Sequence, residues 1–201
     1  MQTSAEPTRI LEGTRVLDLT QFLAGPHATL LLAGLGANVV RIDNPHTGDA
    51  LTDSPLYYGA SGPAFKKRDE TDLGVAFLKR LRAKKSMTIN LKSSEGRSLL
   101  LELAKCSDVL VENFSVGVTE RLEIDWPRLQ QVNPKLVYCS ITGYGASGPD
   151  AKRRGYDVTT QAMSGLMSIT GQPGGPPTKA GSALADTISG VFAFSAMLAA
   201  L

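Results

Sequence analysis

The sequence of 201 residues predicts an α/β fold: a Rossmann-like, doubly wound, mainly parallel sheet with flanking helices. Two observations carry this prediction. Short apolar runs of strand length alternate with longer segments whose apolar residues recur at helical spacing. Proline, glycine and serine residues also separate these segments, at positions where helices begin or end. The chain therefore reads as a series of strand–helix–strand units.

The first of these units lies near the N-terminus. Residues 14–19 have the composition of a buried strand, and Pro26 is placed to start a helix that continues to Leu35. Ala37 to Ile42 then forms the second predicted strand. A strand, a helix and a second strand in this order favour parallel pairing with a right-handed crossover.

The middle of the chain is less regular. Residues 43–49 are predicted to form a loop, and residues 50–79 show no clear period, so we expect an irregular excursion there. Ser86 to Leu91 is the third predicted strand. Ser93 or Ser94 is then expected to cap a helix running to Lys105, because a serine hydroxyl accepts hydrogen bonds from the free N–H groups of a first turn.

The remaining elements continue the alternation. Asp108 to Glu112 is the fourth predicted strand and Leu136 to Ile141 the fifth, with short helices over residues 118–122 and 126–132 between them. A helical pattern follows Asp157 through Met167, and an apolar helix runs to the last residue.

Ligands of doubly wound sheets bind beyond the carboxyl ends of the strands. Asp43, Asn113 and residues 142–144 each follow a predicted strand, so we expect them near one rim of the sheet. Two glycine-rich loops, residues 143–149 and 171–177, bracket the helix that follows Asp157. Such loops can approach a bound ligand closely, but loops of this composition are also common as plain connections.

Composition narrows the function classes. A net charge of +2, with 42% hydrophobic and 20% charged residues, gives no support for a nucleic-acid-binding surface. No apolar run reaches membrane length without interruption, and the polar residues 1–9 lack the apolar core of a secretory signal. We therefore expect no nucleic-acid or membrane partner and a cytoplasmic protein, with the mitochondrial matrix as the alternative.

The two cysteines and two histidines give further expectations. Cys106 and Cys139 form no C-x-x-C pair and lie in apolar contexts, so buried free thiols in a reducing compartment are predicted. His27 and His46 have no matching ligand cluster, so no metal site is expected.

Several sequence words carry a resemblance to a known family. They are L-E-G-T-R-V-L-D-L-T at 11–20, G-A-N-V-V-R-I-D at 36–43, K-K-S-M-T-I-N-L-K at 84–92, D-V-L-V-E-N-F at 108–114, S-I-T-G-Y-G at 140–145 and S-G-L-M-S-I-T-G at 164–171. In these words the chain resembles the family III CoA-transferases, whose superfamily also contains the α-methylacyl-CoA racemases. The resemblance implies a Rossmann-like fold, an acyl-CoA and a small carboxylic acid as substrates, and no permanently bound cofactor.

Members of that family are longer, and their C-terminal half completes the first domain while two subunits interlock as a homodimer. The present sequence ends inside an apolar helical pattern at residues 197–201. By resemblance, we therefore expect residues 1–201 to be the N-terminal, CoA-binding part of an incomplete domain, with the C-terminal half absent and a homodimer formed by the full-length protein.

The resemblance also implies which residues contact coenzyme A. Arg41 and Asp43 stand where members place a basic–x–acidic pair by the adenine, and the other positions lie in the shared words. The complete set of expected CoA-binding residues is Arg41, Asp43, Ile89, Asn90, Leu91, Lys92, Asn113, Phe114, Arg121, Gly143 and Tyr144. A basic run at residues 79–85 could bind phosphate, but such runs usually form solvated charged faces.

The reaction implied by the resemblance transfers CoA from a donor such as succinyl-CoA to a free acid through an enzyme carboxylate. The family's nucleophilic aspartate is expected in the second glycine loop, as T-G-x-x-D-G-P-P, where this chain has Gly174. Asp157 is therefore the predicted catalytic residue and Asp186 the next candidate. Each aspartate also has a purely structural alternative. Asp157 could cap a helix or pair with Arg153 or Arg154, and Asp186 could cap or begin the last helix.

The sequence also bears on three functions other than CoA transfer. A catalytically inactive fragment that binds CoA or a partner chain is the main alternative. A racemase is disfavoured, because residues 127–131 lack the histidine expected upstream of the fifth strand. A nicotinamide oxidoreductase is set aside, because the first strand–helix turn reads L-A-G-P-H-A instead of G-x-G-x-x-G.

Overall fold

The computed structural model describes residues 9–201, and the polar residues 1–8 lie outside the described part. Strands and helices alternate along most of the described chain. The strands are β1 (Arg15–Asp18), β2 (Asn38–Asp43), β3 (Tyr57–Gly59), β4 (Gly62–Ala64), β5 (Leu73–Gly74), β6 (Lys84–Thr88), β7 (Val109–Glu112) and β8 (Val137–Ser140). The helices are α1 (Ala24–Gly34), α2 (Val75–Leu81), α3 (Ser94–Lys105), α4 (Val118–Arg121), α5 (Trp126–Val132), α6 (Asp157–Met163) and α7 (Leu184–Ala200).

Five strands form a parallel sheet in the order β6-β2-β1-β7-β8. In this register Leu17 of β1 lies opposite Val40 of β2 and Leu110 of β7. The predicted α/β fold with a mainly parallel sheet is thus confirmed. The strand order reverses between β1 and β7, and this switch point is where doubly wound sheets leave a crevice for a ligand.

Helices cover both faces of this sheet because successive strand residues point to opposite sides. Val16, Val39 and Val109 face a core that includes Leu32 of α1 and Met197 of α7. Leu17, Ile42 and Leu110 face the other core, which includes Leu100 of α3 and Leu129 of α5. Ser93 caps α3 as predicted, since its hydroxyl accepts a 3.0 Å hydrogen bond from the N–H of Gly96.

Two predicted elements were wrong in detail. The third strand of the parallel sheet is Lys84–Thr88 instead of Ser86–Leu91, because Ile89 and Leu91 lie in the turn that leads to α3. Residues 50–79 are also not irregular throughout. They form a short 3₁₀ helix at Ala50–Asp53, an antiparallel sheet of order β4-β3-β5, and α2. These strands have only two or three residues each, too few for an alternating pattern to stand out.

The basic run at residues 79–85 is not a uniformly solvated face. The Nζ of Lys84 is 2.8 Å from the Oδ2 of Asp18, and both side chains are fully buried. The same ammonium donates to Thr29 Oγ1 and to the carbonyl of Pro26, which fills its donor capacity. Burial lowers the pKa of Lys84, while the charge of Asp18 opposes this shift. This buried ion pair, with its two further hydrogen bonds, joins β6 to β1 and α1.

Other expectations also need correction. Cys106 is exposed at the end of α3, so the prediction of two buried thiols was wrong for it. Cys139 is partly buried in β8, and burial, followed by the charge of Glu112, raises its thiol pKa to about 11. The helix predicted through Met167 ends at Met163, because Gly165 adopts φ 81° before a 3₁₀ turn at Leu166–Ile169. No helix within residues 9–201 has the length and apolarity needed to cross a membrane.

Candidate functional site

A cleft of about 90 Å³ opens at the carboxyl edge of the parallel sheet, beside the switch point. We call it the carboxyl-edge cleft. It combines residues that follow β1, β2, β6 and β7, and it therefore draws on four separate sequence words. Its lining consists of Leu19, Gln21, Ile42, Asp43, Asn44, Ile89, Leu91, Lys92, Phe114 and Leu122. Five of the residues expected to bind CoA thus share one cleft: Asp43, Ile89, Leu91, Lys92 and Phe114.

Arg41 does not line this cleft. It is only 1% exposed, and its guanidinium donates to both oxygens of Asp43 and to Asp49 at 2.7–3.0 Å. The guanidinium also lies 4.9 Å from the ring centroid of Phe77. Burial opposes the charged form, but the hydrogen bonds and charges of Asp43 and then Asp49 outweigh it and raise the pKa of Arg41. Arg41 therefore orients Asp43 toward the cleft.

Asn113 and Asn90 act on the backbone around the cleft. The Asn113 side chain accepts from the N–H of Gln21 and donates to its carbonyl, both at 2.8 Å. This clamp joins the loops after β1 and β7 and fixes Gln21 at the cleft wall. The side chain of Asn90 accepts from the N–H of Lys92 at 3.1 Å, and the Asn90 carbonyl accepts from the Ser93 hydroxyl. That turn leads directly into the N-terminus of α3.

The other three expected residues lie outside the cleft lining. Arg121 is exposed at the end of α4. Gly143 packs against Gly155 so tightly that a Cβ atom on Gly143 would lie 2.5 Å from the Gly155 Cα, which closes the neck of the loop between them. Within the described residues the hydroxyl of Tyr144 is buried without a hydrogen-bond partner, and the Arg153 guanidinium lies 5.3 Å from the Tyr144 ring centroid.

A second cavity, of about 200 Å³, opens on the other side of Phe114. Glu112 is among its lining residues and accepts from the Tyr138 hydroxyl at 3.0 Å and from the Phe114 N–H at 2.7 Å. Burial, followed by the charge of Glu112, raises the pKa of Tyr138 strongly. Glu112 and Phe114 of this cavity belong to the sequence word at 108–114, and Ser140 and Thr142 belong to the word at 140–145, whereas its residues from α4 and α5 lie in none of the words.

Asp157, the predicted catalytic residue, is 8% exposed at the start of α6. One of its oxygens accepts from the N–H groups of Ala185 and Asp186, at 2.9 and 3.4 Å, and the other accepts from Gln161 at 2.8 Å. Its partners thus lie at the N-terminus of α7, where free N–H groups favour a negative charge. The expected capping contact exists, but it caps α7 from another helix. Arg153 instead pairs with Asp150.

Gln161 extends this anchoring and was not singled out from the sequence. It is fully buried, and its side chain accepts from the N–H of Ala180 at 2.9 Å while donating to Asp157. It therefore ties the segment after the second glycine loop to α6. A glutamine within an ordinary helical pattern gives no signal of this role.

Asp186 lies in the first turn of α7 and is partly buried. Burial, followed by the charge of Asp157, raises the pKa of Asp186, while Arg80 opposes this shift. Burial lowers the pKa of His27, and the charges of Arg80 and Lys84 add to the shift. Asp157, Asp186, Arg80 and His27 together are called the carboxylate cluster.

The carboxylate cluster and the carboxyl-edge cleft belong to the same edge of the sheet. Gln21 of the cleft precedes α1, which begins at Ala24. Gly190 of α7 packs against that start, since a Cβ there would lie 2.6 Å from the Ala24 carbonyl and 3.1 Å from the His27 ring. Only a glycine permits this approach, and it brings the second turn of α7 to the beginning of α1.

Comparisons with known proteins agree with this architecture. The chain is 43% identical over 193 residues to a succinate–glutarate CoA-transferase of Agrobacterium fabrum, covering 95% of this chain and 46% of that protein. It is 40% identical to a succinyl-CoA:glutarate CoA-transferase of Mus musculus, covering 100% of this chain and 43% of that protein. A crystal structure of a CAIB/BAIF family protein from Brucella suis superposes with a TM-score of 0.85 at 36% identity, covering 96% of this chain and 49% of that one.

The chain thus spans somewhat less than half the length of these relatives. The family model described as CoA-transferase family III matches residues 11–201, which is nearly all of the sequence. The words at the carboxyl edge, the parallel sheet and these relatives all lead to one assignment. The chain belongs to CoA-transferase family III.

Proposed function

We propose that this chain is the N-terminal part of a CoA-transferase that moves CoA from a dicarboxylic acyl-CoA, such as succinyl-CoA, to a small dicarboxylic acid. Two of its relatives are a succinate–glutarate CoA-transferase and a succinyl-CoA:glutarate CoA-transferase, which supports this substrate class. The observation that carries the proposal is a partly buried carboxylate, Asp186, with a raised pKa at the same sheet edge as the carboxyl-edge cleft.

Coenzyme A is proposed to bind as a substrate along the carboxyl-edge cleft. Apolar side chains of Ile89, Leu91 and Phe114 offer a slot for the adenine, and Asp43 offers hydrogen-bond acceptors for its amino group. Lys92 lies just ahead of the N-terminus of α3, where a cation and free N–H groups together favour phosphate. Arg121, Gly143 and Tyr144 remain proposed contacts for the rest of the molecule.

The reacting carboxylate is proposed to come from the pair Asp157 and Asp186. Asp157 was the predicted catalytic residue, and its participation stays a prediction. Its three N–H donors and its burial favour a holding role, because a nucleophile needs free lone pairs and access to the thioester. Asp186 is less buried than Asp157, and its raised pKa makes its carboxylate more basic than an ordinary aspartate. We therefore favour Asp186 as the nucleophile.

The proposed reaction runs through mixed anhydrides and an enzyme–CoA thioester. The enzyme carboxylate attacks the donor thioester, which forms a mixed anhydride and releases CoA thiolate. The thiolate attacks the enzyme carbonyl of the anhydride, giving an enzyme–CoA thioester and the free donor acid. The acceptor carboxylate then attacks that thioester, which forms a second mixed anhydride and releases CoA thiolate. This thiolate attacks the acceptor carbonyl of the anhydride, giving the acceptor acyl-CoA and freeing the enzyme carboxylate. Each step exchanges one leaving group for one nucleophile, so no cofactor or redox partner is consumed.

A chromatographic exchange assay with succinyl-CoA and a panel of dicarboxylic acids tests this function. Wild type is expected to form new acyl-CoA, and Asp186→Asn to lose at least about a thousandfold in rate, because an amide is a poor nucleophile. Asp150→Asn is the matched control, since Asp150 is an exposed carboxylate paired with Arg153. Exchange that survives in Asp186→Asn but vanishes in Asp157→Asn would instead assign the reaction to Asp157.

The alternative is a catalytically inactive fragment that binds CoA without turnover, and its support is that the chain covers 46% of a CoA-transferase relative. Thermal unfolding with and without CoA separates the two, because a ligand that binds only the folded state raises Tm. A CoA-dependent rise without exchange would mean a binding fragment. No rise at saturating CoA would remove the CoA site.

A homodimer of the full-length protein is also proposed. Its support is the exposure of large apolar side chains on α6, on the 3₁₀ turn after it and on α7: Met163 is 57%, Ile169 83% and Phe192 72% exposed. Patches of this kind mark interfaces more often than free surfaces. Light scattering on the full-length protein tests the proposal, and a monomer at micromolar concentration would contradict it.

A further inference from the structure

The second cavity, beside Phe114, contains a buried acidic side chain that the transferase proposal does not use. Glu112 is 3% exposed and lines this cavity of about 200 Å³. Its two oxygens accept from the Tyr138 hydroxyl and the Phe114 N–H, and no lysine, arginine or histidine among residues 9–201 forms an ion pair with it. Buried carboxylates are normally paired with a cation, because two neutral hydrogen bonds replace only part of the lost hydration.

The rest of the lining adds negative charge and no positive charge. Glu120 and Asp125 also line the cavity, whereas its lining within the described chain contains no lysine, arginine or histidine. Asp125 is paired with Arg128, so its charge is offset. Glu120 is exposed and accepts a hydrogen bond from the Thr119 hydroxyl. Glu112 and Glu120 therefore line one cavity without a cation partner in the described residues.

Three aromatic side chains line the same cavity. Phe114, Trp126 and Tyr138 are all part of its wall, and the rings of Trp126 and Tyr138 stack with centroids 5.8 Å apart and 26° between their planes. The face of an aromatic ring attracts a cation, and groups of such rings bind alkylated ammonium ions. Within residues 9–201 no three acids, histidines or cysteines lie close enough together to hold a metal ion. The lining therefore matches an organic cation better than a bare metal ion.

We propose that this cavity binds a small alkylated ammonium ion, with Glu112 as its counter-charge and the aromatic rings around it. Such an ion carries its charge on an apolar surface, so it suits aromatic walls and is weakly hydrated. It needs no hydrogen-bond acceptor, which fits Glu112, because each of its oxygens already accepts a hydrogen bond. A volume of about 200 Å³ suits a compact ion, since the pockets of drug-sized ligands begin at roughly 300 Å³. The site does not depend on CoA transfer.

The test uses Trp126 as the reporter, because it lines the cavity and is the only tryptophan in the sequence. Its fluorescence is titrated with choline and with 3,3-dimethyl-1-butanol, the neutral isostere in which carbon replaces the ammonium nitrogen. We expect a saturable response to choline by about 10 mM, and binding of the isostere weaker by about tenfold or more, because the isostere has no charge. Sodium chloride at equal concentration controls for ionic strength and should give no saturable response.

Two variants test the carboxylates. Glu112→Gln keeps the shape of the side chain without its charge, and should weaken choline about tenfold while leaving the isostere unchanged. Glu120→Gln changes an exposed residue of the same lining and should weaken choline about two- to threefold. Glu102→Gln is the matched control, since Glu102 is an exposed acid of α3 paired with Lys105, and should change neither ligand.

The wild-type comparison and Glu120→Gln decide the question if Glu112→Gln fails to fold, which its Tm would show. Equal affinity for choline and its isostere, or the same response to sodium chloride, would overturn the cation site. The absence of a saturable response to choline would overturn it as well. Choline affinity that stays at the wild-type value in folded Glu112→Gln would overturn the role of Glu112.

Discussion

The carboxyl-edge cleft and the carboxylate cluster lie at the same edge of the sheet but are assembled in different ways. The cleft is built from short words that each follow one strand, such as residues 89–92 after β6 and residues 113–114 after β7. The cluster joins single residues at positions 27, 80, 157 and 186, which come from four helices. Local sequence therefore specifies the cleft, whereas the packing of α7 on α1 specifies the cluster.

The two regions also differ in how completely their charged side chains are paired. In the cleft, buried Arg41 is fully paired with Asp43 and Asp49, so its charge serves the fold. In the cluster, Asp186 and Arg80 keep charges that the described residues only partly balance. Incompletely balanced charge costs stability and is typical of groups that meet a substrate. We propose that the cleft supplies CoA binding and that Asp186 of the cluster supplies reactivity.

The largest effect on stability is expected at the buried Lys84–Asp18 ion pair, which joins β6 to β1. Lys84→Met leaves Asp18 buried without its cation, so the free energy of unfolding should fall by about 3–5 kcal/mol. Lys85→Met changes an exposed neighbour and should stay within about 0.5 kcal/mol of wild type. Urea unfolding measures both. Equal small changes would show that the buried pair does not join these elements.

Removal of the carboxylate that holds α7 should come next. Asp157→Ala leaves the N–H groups of Ala185 and Asp186 and the amide of Gln161 without their acceptor, at an expected cost of about 2–4 kcal/mol. Asp150→Ala removes only an exposed pair and should cost less than about 1 kcal/mol. If the two variants unfold at the same urea concentration, Asp157 does not anchor α7.

A smaller effect is expected for phosphate binding in the cleft. Lys92→Met should weaken CoA binding by about 1 kcal/mol, roughly fivefold, because one charge-assisted contact is lost. Lys105→Met, at the opposite end of α3, removes an exposed lysine paired with Glu102 and should leave the affinity unchanged. Isothermal titration calorimetry measures both variants. Matching losses would mean a general electrostatic effect instead of a contact in the cleft.

The smallest effect concerns the titration of Asp186. Its pKa is raised in the folded state, so its contribution to stability is present below the ordinary aspartate pKa and is lost as pH rises through the folded value. Asp186→Asn should therefore become more stable relative to wild type as pH increases from 3 to 7. Unfolding free energies across that range test the sign, and a constant difference would mean that Asp186 is not perturbed.

The sequence predicted the parallel sheet and the cleft because both depend on local patterns. Apolar runs mark β1, β2, β7 and β8, and the words at residues 89–92 and 113–114 follow strand ends. The edge strand β6 was displaced because Lys84 and Lys85 look like a solvated run, and only the distant Asp18 explains the burial of Lys84. Gln161 was missed for the same reason, since its partners are set by helix packing.

The central claim, that Asp186 reacts while Asp157 holds α7, is tested most directly by trapping the enzyme–CoA thioester. The chain is incubated with succinyl-CoA without acceptor, and borohydride then reduces any aspartyl thioester to homoserine, which peptide mass spectrometry locates. The account predicts homoserine at position 186 in wild type and none in Asp186→Asn. Homoserine at position 157, or steady exchange with no reduced residue, would contradict it.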